Sequence, residues 1–419
     1  MILNNIKSTY LFLFLWMNFQ FISCAQQSKS SVVKTSESKP LFVKTGADRV
    51  NLYVNALKGK NIAIVANQTS VLQIAQRAEV APNKMGSKLV SRHLVDYLHQ
   101  QKSIKVRKVF APEHGFRGKA DAGEKVVDGI DTKTGIPIIS LYGKNKKPSQ
   151  EQLKGIDVVV FDIQDVGARF YTYISTLHYV MEACAEAKIP VILLDRPNPN
   201  GHYIDGPVLE LENKSFVGMH PVPVVYGMTI GEYGQMINGE KWLKDNLKCE
   251  LQVITLENYT HNTKYNLPIK PSPNLPNEVA VNLYPSLCFF EGTTISAGRG
   301  TNKQFQIYGA PTLQNNAFSF VPEPNEGAKY PKYKNETCFG EDLSNEAYLT
   351  ALSLKWLKKS YANTTDKSNF FNAFFTKLAG TKKLQKQLEK GVEEEVIKDS
   401  WQTDLNAFKK VRAKYLLYN

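Results

Sequence analysis

From residue 60 to about 255 the chain alternates short apolar runs with stretches that carry one apolar face. Asn61 to Ala66, Ile104 to Phe110, Ile136 to Leu141, Asp157 to Asp162, Ile189 to Leu194 and Leu251 to Leu256 read as strands. Val158, Val159, Val160 and Phe161 are consecutive, which suits a parallel strand covered on both faces. Between the strands, Leu94, Val95 and Leu98 give one face of a helix from Ser91 to Gln101. Ser149 is placed to N-cap a short helix start, and Ile174 to Ala187 is a longer helix. Thr229 and Glu232 have the spacing of a capping box, so Glu232 is first of all a structural residue. Strand and helix in alternation predict an α/β fold: a Rossmann-like, doubly wound, mostly parallel sheet spanning residues 46–258.

From about residue 259 the texture changes. Pro268, Pro271, Pro273 and Pro276 interrupt the chain. A short strand near Phe305 to Tyr308 and helices over Glu346 to Tyr361, Phe370 to Leu388 and Leu405 to Tyr415 follow. Residues 259–419 therefore read as a second, smaller mixed α/β domain.

The tips of the strands are polar. Asn67-Gln-Thr-Ser70 follows the first, and Glu113-His-Gly-Phe-Arg117 the second. Asp162-Ile-Gln164-Asp165 and Asp195-Arg196-Pro-Asn198 follow later ones. Pro112 and Gly115 end the second strand, leaving Glu113 and His114 on the turn beyond it. In open α/β sheets ligands gather at the carboxyl ends of strands, so these loops are expected to converge on one site. A second glycine-rich polar stretch runs from Glu291 to Thr301, and Gly292 beside Glu291 permits close approach.

The formal net charge of +13 is spread along the chain, without a Lys/Arg stripe interleaved with aromatics, so nucleic acid is not the expected partner. An anionic envelope or substrate explains the excess. The first 24 residues read as a targeting segment: Lys7, then a short apolar run from Tyr10 to Ile22, then Phe21-Ile-Ser-Cys24. That ending resembles a bacterial lipoprotein box, with residues 25–45 as a polar tether. The expectation is export to the periplasm or outer membrane with a lipid on Cys24; plain secretion is the alternative. Cys184, Cys249, Cys288 and Cys338 lack metal spacing and read as buried thiols.

No G-x-S-x-G marks a serine hydrolase, and no G-x-G-x-x-G follows the first strand, so neither that chemistry nor a dinucleotide is expected. No cofactor is expected. Glu113 and His114 with Asp162 and Asp165 make the one metal set worth weighing, and it would suit a hard cation. Glu and Asp for proton transfer, with Arg, Asn, Gln and Tyr to hold hydroxyls, form the inventory of a glycosidase pocket.

Eight segments in order carry a family resemblance. They are Asn67 to Ser70, Ala111 to Gly118, Ser140 to Gly143, Phe161 to Tyr173, Leu194 to Gly201, Tyr226 to Glu232, Pro271 to Asn274 and Glu291 to Thr301. Together they resemble the exo-β-N-acetylmuramidase, NamZ-like family, once a domain of unknown function. The resemblance implies an active site in a cleft between the two domains. It also implies release of N-acetylmuramic acid from the non-reducing end of peptidoglycan fragments. Ala297 and Lys303-Gln304 depart from the pattern near the implied substrate contacts.

On this resemblance Glu113 is the expected general acid or base, with His114 orienting it or touching substrate. The second carboxylate is left among Glu291, Glu124, Asp162 and Asp165. A structural ion pair with Arg299 is an equal reading of Glu291. Arg169, Arg196 and Arg299 are candidates for the lactyl carboxylate of muramic acid, because a guanidinium fork matches a carboxylate. Tyr171 and Tyr173 either stack on a sugar or pack. Asn198 and Asn274 sit in proline-locked loops, where rigid amides fit sugar hydroxyls. Asn67, Arg117, Gln164, Asp195 and Thr301 complete the expected site. Two other classes stay open: a metal-dependent hydrolase of an envelope amide or phosphate ester, and a lipoprotein that binds peptidoglycan fragments without cleaving them.

Overall fold

Seven strands form one sheet in the order β5-β6-β4-β1-β7-β8-β9. They are β1 (Asn61–Ala66), β4 (Lys105–Ala111), β5 (Gly129–Ile130), β6 (Pro137–Ser140), β7 (Val158–Asp162), β8 (Val191–Leu194) and β9 (Leu251–Ile254). A separate antiparallel pair, β2 (Val71–Ala81) and β3 (Lys84–His93), lies between β1 and β4 in sequence. The computed structural model describes residues 42–81, 84–117, 128–313 and 317–419, with backbone alone for 77–81 and 84–86. Every described pairing in the large sheet is parallel except that of β5 with β6.

Side chains alternate across this sheet and both faces are covered. Ala63, Val65, Val159 and Phe161 enter one core, which includes Ile174, Leu177 and Met181 of the helix Tyr173–Ala187. Ile62, Ile64, Val158 and Val160 enter the other, with Leu94, Val95 and Leu98. Burying each such side chain is worth about 1.5–3 kcal/mol, so the central strands set the register. From β1 the chain passes to β4 on one side, then returns to β7 on the other. The order therefore reverses between β1 and β7, where loops part and a ligand crevice is expected.

The C-terminal part is smaller. It holds β10 (Ile307–Ala310), β11 (Phe318–Phe320) and β12 (Cys338–Asp342), paired antiparallel in the order β10-β12-β11, with helices after them. Residues 42–419 pack as one unit. Arg169 is one reason. It is fully buried, and its Nη1 donates to the carbonyls of Pro207 (2.7 Å) and Val222 (2.8 Å). Its Nη2 donates to those of Leu378 (2.8 Å) and Ala379 (2.7 Å), in the helix Ala373–Ala379.

Several sequence expectations change. The helix predicted from Ser91 begins only at Leu94, because Ser91 to His93 belong to β3. The β2–β3 pair lacks a clean apolar alternation: Leu89 is 60% exposed, so periodicity did not announce it. Phe370 to Leu388 is two helices, broken where Gly380 adopts φ +73. The helix predicted over Glu346 to Tyr361 is confined to Lys355–Asn363. Both predicted caps form: Ser149 with Gln152, and Thr229 with Glu232, each a reciprocal capping box. The cysteines Cys184, Cys249, Cys288 and Cys338 are buried free thiols.

Candidate active site

Past the end of β4, Pro112 is followed by His114 at φ +69 and Gly115 at φ +74. A histidine in the left-handed region costs about 1 kcal/mol, and the turn holds it there with the Gly115 N–H on the Pro112 carbonyl (3.0 Å). This turn presents Glu113 and His114 to a cavity of about 270 Å³. Thr172, immediately before the helix Tyr173–Ala187, donates its hydroxyl to Glu113 Oε2 at 2.7 Å. The Tyr173 hydroxyl lies 3.5 Å from the Glu113 carbonyl. Burial and the neighbouring Glu113 charge push the Tyr173 phenol up, so it stays a neutral donor.

The opposite wall comes from the C-terminal side. Glu291 lies in a short 3-10 turn, Cys288–Gly292, at the end of the helix Glu278–Leu287. Its Oε1 accepts from Arg299 Nη1 at 3.0 Å, and Arg299 Nη2 lies 3.3 Å from the Gly327 carbonyl. Asn274 donates to that same carbonyl at 2.6 Å, while its Oδ1 is buried without a hydrogen-bond partner. The Tyr171 hydroxyl donates to the Pro271 carbonyl (2.8 Å), leaving its ring against the cavity. Lys332 clamps the turn from behind, donating to the carbonyls of Phe290 (3.2 Å), Thr293 (2.6 Å) and Ile295 (2.9 Å). Burial of that ammonium lowers its pKa to about 8.

Two carboxylates lining one cavity, an arginine beside one of them, an amide and aromatic rings around a sugar-sized space can bind a hydroxyl-rich ring and exchange protons with it. The family models match the chain in register with this architecture. "Exo-beta-N-acetylmuramidase NamZ, N-terminal" covers residues 62–279, and the corresponding C-terminal model covers 282–418. The chain belongs to the exo-β-N-acetylmuramidase NamZ family. The peptidoglycan β-N-acetylmuramidase NamZ of Bacillus subtilis (strain 168) is 38% identical over 442 residues, covering 98% of this chain and 100% of that protein. Two crystal structures of DUF1343 family proteins from Bacteroides fragilis NCTC 9343 share the fold. One is 43% identical with a TM-score of 0.80, the other 28% identical with a TM-score of 0.72. Each covers 90% of this chain and 99% of its own. The two family models meet near residue 280.

Of the residues weighed in the sequence, Glu113, His114, Tyr171, Asn274, Glu291 and Arg299 line this one cavity. Other predicted site residues are turned to different work. Arg169 is held by four carbonyls in the core. Arg196 is buried against Asp162, with Nε–Oδ1 at 2.6 Å and Nη2–Oδ2 at 2.8 Å. Asp165 accepts from the Tyr226 hydroxyl and the Gly167 N–H, and burial raises its pKa to about 6. Asp195 accepts from Thr229, Gly231, Tyr418 and the Arg196 N–H, and burial raises its pKa to about 7. Asn198 donates to the Met228 carbonyl and accepts from the Asn200 N–H. Gln164 donates to the Asp165 and Pro197 carbonyls. These groups are buried, and their partners are the backbones and neighbouring side chains of the loops at the strand tips.

Asn67 supports the site from one step away, donating to the Tyr173 hydroxyl at 2.9 Å. Thr301 closes its own turn by donating to the Gly298 carbonyl. Arg117 pairs with Asp131 (2.9 Å) and Asp96 (3.3 Å). Glu124 and Cys24 lie outside the described residues. Gly292 does allow a close approach, but to protein: a Cβ there would lie 2.5 Å from Phe375 Cα. Sequence reasoning missed Thr172, although it sits inside the quoted Phe161 to Tyr173 segment. It also missed Phe216 and Phe374 on the cavity wall, which come from irregular or terminal positions without a periodic signal.

Proposed function

We propose that this protein is an exo-acting glycoside hydrolase that releases N-acetylmuramic acid from the non-reducing end of peptidoglycan fragments. The observation carrying the proposal is that Glu113 and Glu291 line one cavity in a chain matched by the NamZ family models over residues 62–279 and 282–418. Glu113 serves as general acid or base, oriented by Thr172; Glu291 is the second carboxylate, paired with Arg299. Of the three arginines weighed for the lactyl carboxylate, Arg169 and Arg196 are buried on other partners. Arg299 lines the cavity, and this role is assigned to it. Asn274 and Tyr171 contact the sugar, and His114 sets the turn that carries Glu113.

A metal-dependent reaction finds no starting donor set among the described residues, where no three His, Cys, Asp or Glu side chains group to hold an ion. The deciding experiment incubates the protein with a defined β-1,4 disaccharide ending in N-acetylmuramic acid, with and without chelator, and analyses products by mass. Free N-acetylmuramic acid in both arms is expected, and Glu113→Gln should remove it while the fold persists. Tight binding of the disaccharide with no product from the wild type would instead support a non-catalytic binder. Export and lipid attachment at Cys24 are part of the same proposal, supported by the N-terminal sequence. Metabolic labelling with a fatty acid, lost in Cys24→Ala, tests them.

A further inference from the structure

Thr172, just before the helix Tyr173–Ala187, and Ser175, His178 and Glu182 within it follow one another at helical spacing and form a polar stripe on one face. All four are buried, and buried polar groups are costly unless something satisfies them. Thr172 holds Glu113. Ser175 donates its hydroxyl to the Phe216 carbonyl at 2.7 Å. His178 Nδ1 lies 2.9 Å from His220 Nε2, and His220 Nδ1 lies 3.0 Å from the Tyr233 hydroxyl. Glu182 accepts from Lys147 Nζ and from the Lys244 N–H, each at 2.8 Å.

Phe216 and His220 belong to one short loop. Its turn is closed by reciprocal backbone bonds between Ser215 and Gly218, at 2.9 and 3.0 Å. The tip of that turn places Phe216 and Val217 on the wall of the cavity that holds Glu113 and Glu291. Two residues further on, the His220 ring lies flat on Trp242, with centroids 4.4 Å apart and planes at 14°.

We propose that this stripe positions the active site, with Thr172 setting Glu113, and Ser175 and the His178–His220 pair setting the Phe216 turn for substrate binding. His178 is thereby a positioning residue. The inference rests on the glycosidase reading above and deepens it. Glu182 Oε2, an acceptor, lies 3.6 Å from His178 Nε2 and favours the hydrogen there. Nδ1 of His178 is then the acceptor, Nε2 of His220 the donor, and the Tyr233 hydroxyl donates to His220 Nδ1. A proton added to His178 would set N–H against N–H at the contact that holds the turn. Glu182, Lys147, Lys214 and Tyr233 are the ionisable groups around the pair. Burial lowers the pKa of both rings and the Lys214 charge adds to it, so the neutral pair is the folded form.

The test compares His178→Leu, which removes the acceptor, with His178→Asn, which keeps one near the Nδ1 position. His178→Leu should raise KM for the muramyl disaccharide about tenfold with kcat within about twofold, and His178→Asn should restore most of it. An unchanged KM in His178→Leu, a rise that His178→Asn does not reverse, or an equal fall in kcat overturns the assignment. If His178→Leu does not fold, Ser175→Ala decides: about a threefold rise in KM supports the stripe and none refutes it. By ¹⁵N NMR of the wild type near pH 6, both rings should be neutral with hydrogen on Nε2, and a cationic ring contradicts the pairing. Calorimetric affinity for the disaccharide separates this proposal from the functional one. A wild type that binds without cleaving refutes the glycosidase, while weaker binding by His178→Leu still upholds the stripe; a wild type that does neither refutes both.

Discussion

Gly292→Ala isolates the positioning of Glu291 without touching any polar group. The added methyl would meet Phe375 Cα at 2.5 Å, its N at 2.7 Å and its Cβ at 2.8 Å, where ordinary contact begins at 3.4 Å. Two of these neighbours are backbone atoms of a helix N-terminus, which cannot rotate aside. That end is also fixed by the Asn372 N–H on the Gly292 carbonyl (3.0 Å). Either the helix or the Glu291 turn must shift by roughly 1 Å, because packed interiors have no slack at that scale. Overpacking of this kind costs about 1–3 kcal/mol of stability. A displacement of about 1 Å in a reacting group lowers turnover by about 100-fold. Initial rates on the muramyl disaccharide, read beside thermal unfolding, measure both. A variant with wild-type kcat and an unchanged melting temperature refutes the close-packed turn. One that is destabilised yet fully active shows that the helix has given way and the Glu291 turn has kept its place.

Further outcomes are expected elsewhere. Arg299→Lys keeps the charge but loses the fork, so discrimination between muramyl and N-acetylglucosaminyl substrates should fall at least about tenfold; unchanged discrimination would reassign the lactyl contact. Arg169→Met leaves four buried carbonyls without donors and should lose more than about 3 kcal/mol in urea titration, a loss under 1 kcal/mol contradicting the bonding described. His93 donates from Nε2 to the Asn67 carbonyl (2.9 Å) and accepts the Val95 N–H at Nδ1, and burial lowers its pKa to about 4. It should therefore stay neutral to about pH 5 by ¹⁵N NMR. Its folded pKa lies below the unfolded value near 6.5, so its contribution to stability is complete above that value and is lost as pH falls toward 4. An NMR midpoint near 6.5 would contradict this.

The central strands were legible because burial on both faces leaves a continuous apolar run, as in Val158 to Phe161. The capping boxes were legible because their chemistry is local. The cavity-facing residues were legible in part. Glu113 and Glu291 stand beside Pro112 and Gly292, which reveal irregular backbone, but sequence cannot say what a polar tip faces. Asp195 and Arg299 look alike as ionisable loop residues. One accepts from four donors in the core, and the other lines the cavity. That difference is made by contacts far apart along the chain, such as Tyr418 on Asp195 and Gly327 on Arg299. Local spacing holds no record of them. The same limit hid the β2–β3 pair, whose ladder is specified by backbone and not by an apolar stripe.

The guanidinium of Arg169 has a mechanical consequence. It rivets the loops at Pro207 and Val222 to the helix end at Leu378, and Leu378 is itself part of the cavity wall. Swinging that wall outward would strand carbonyls in a medium of low dielectric. That stretch of the wall is therefore a fixed jamb and not a door.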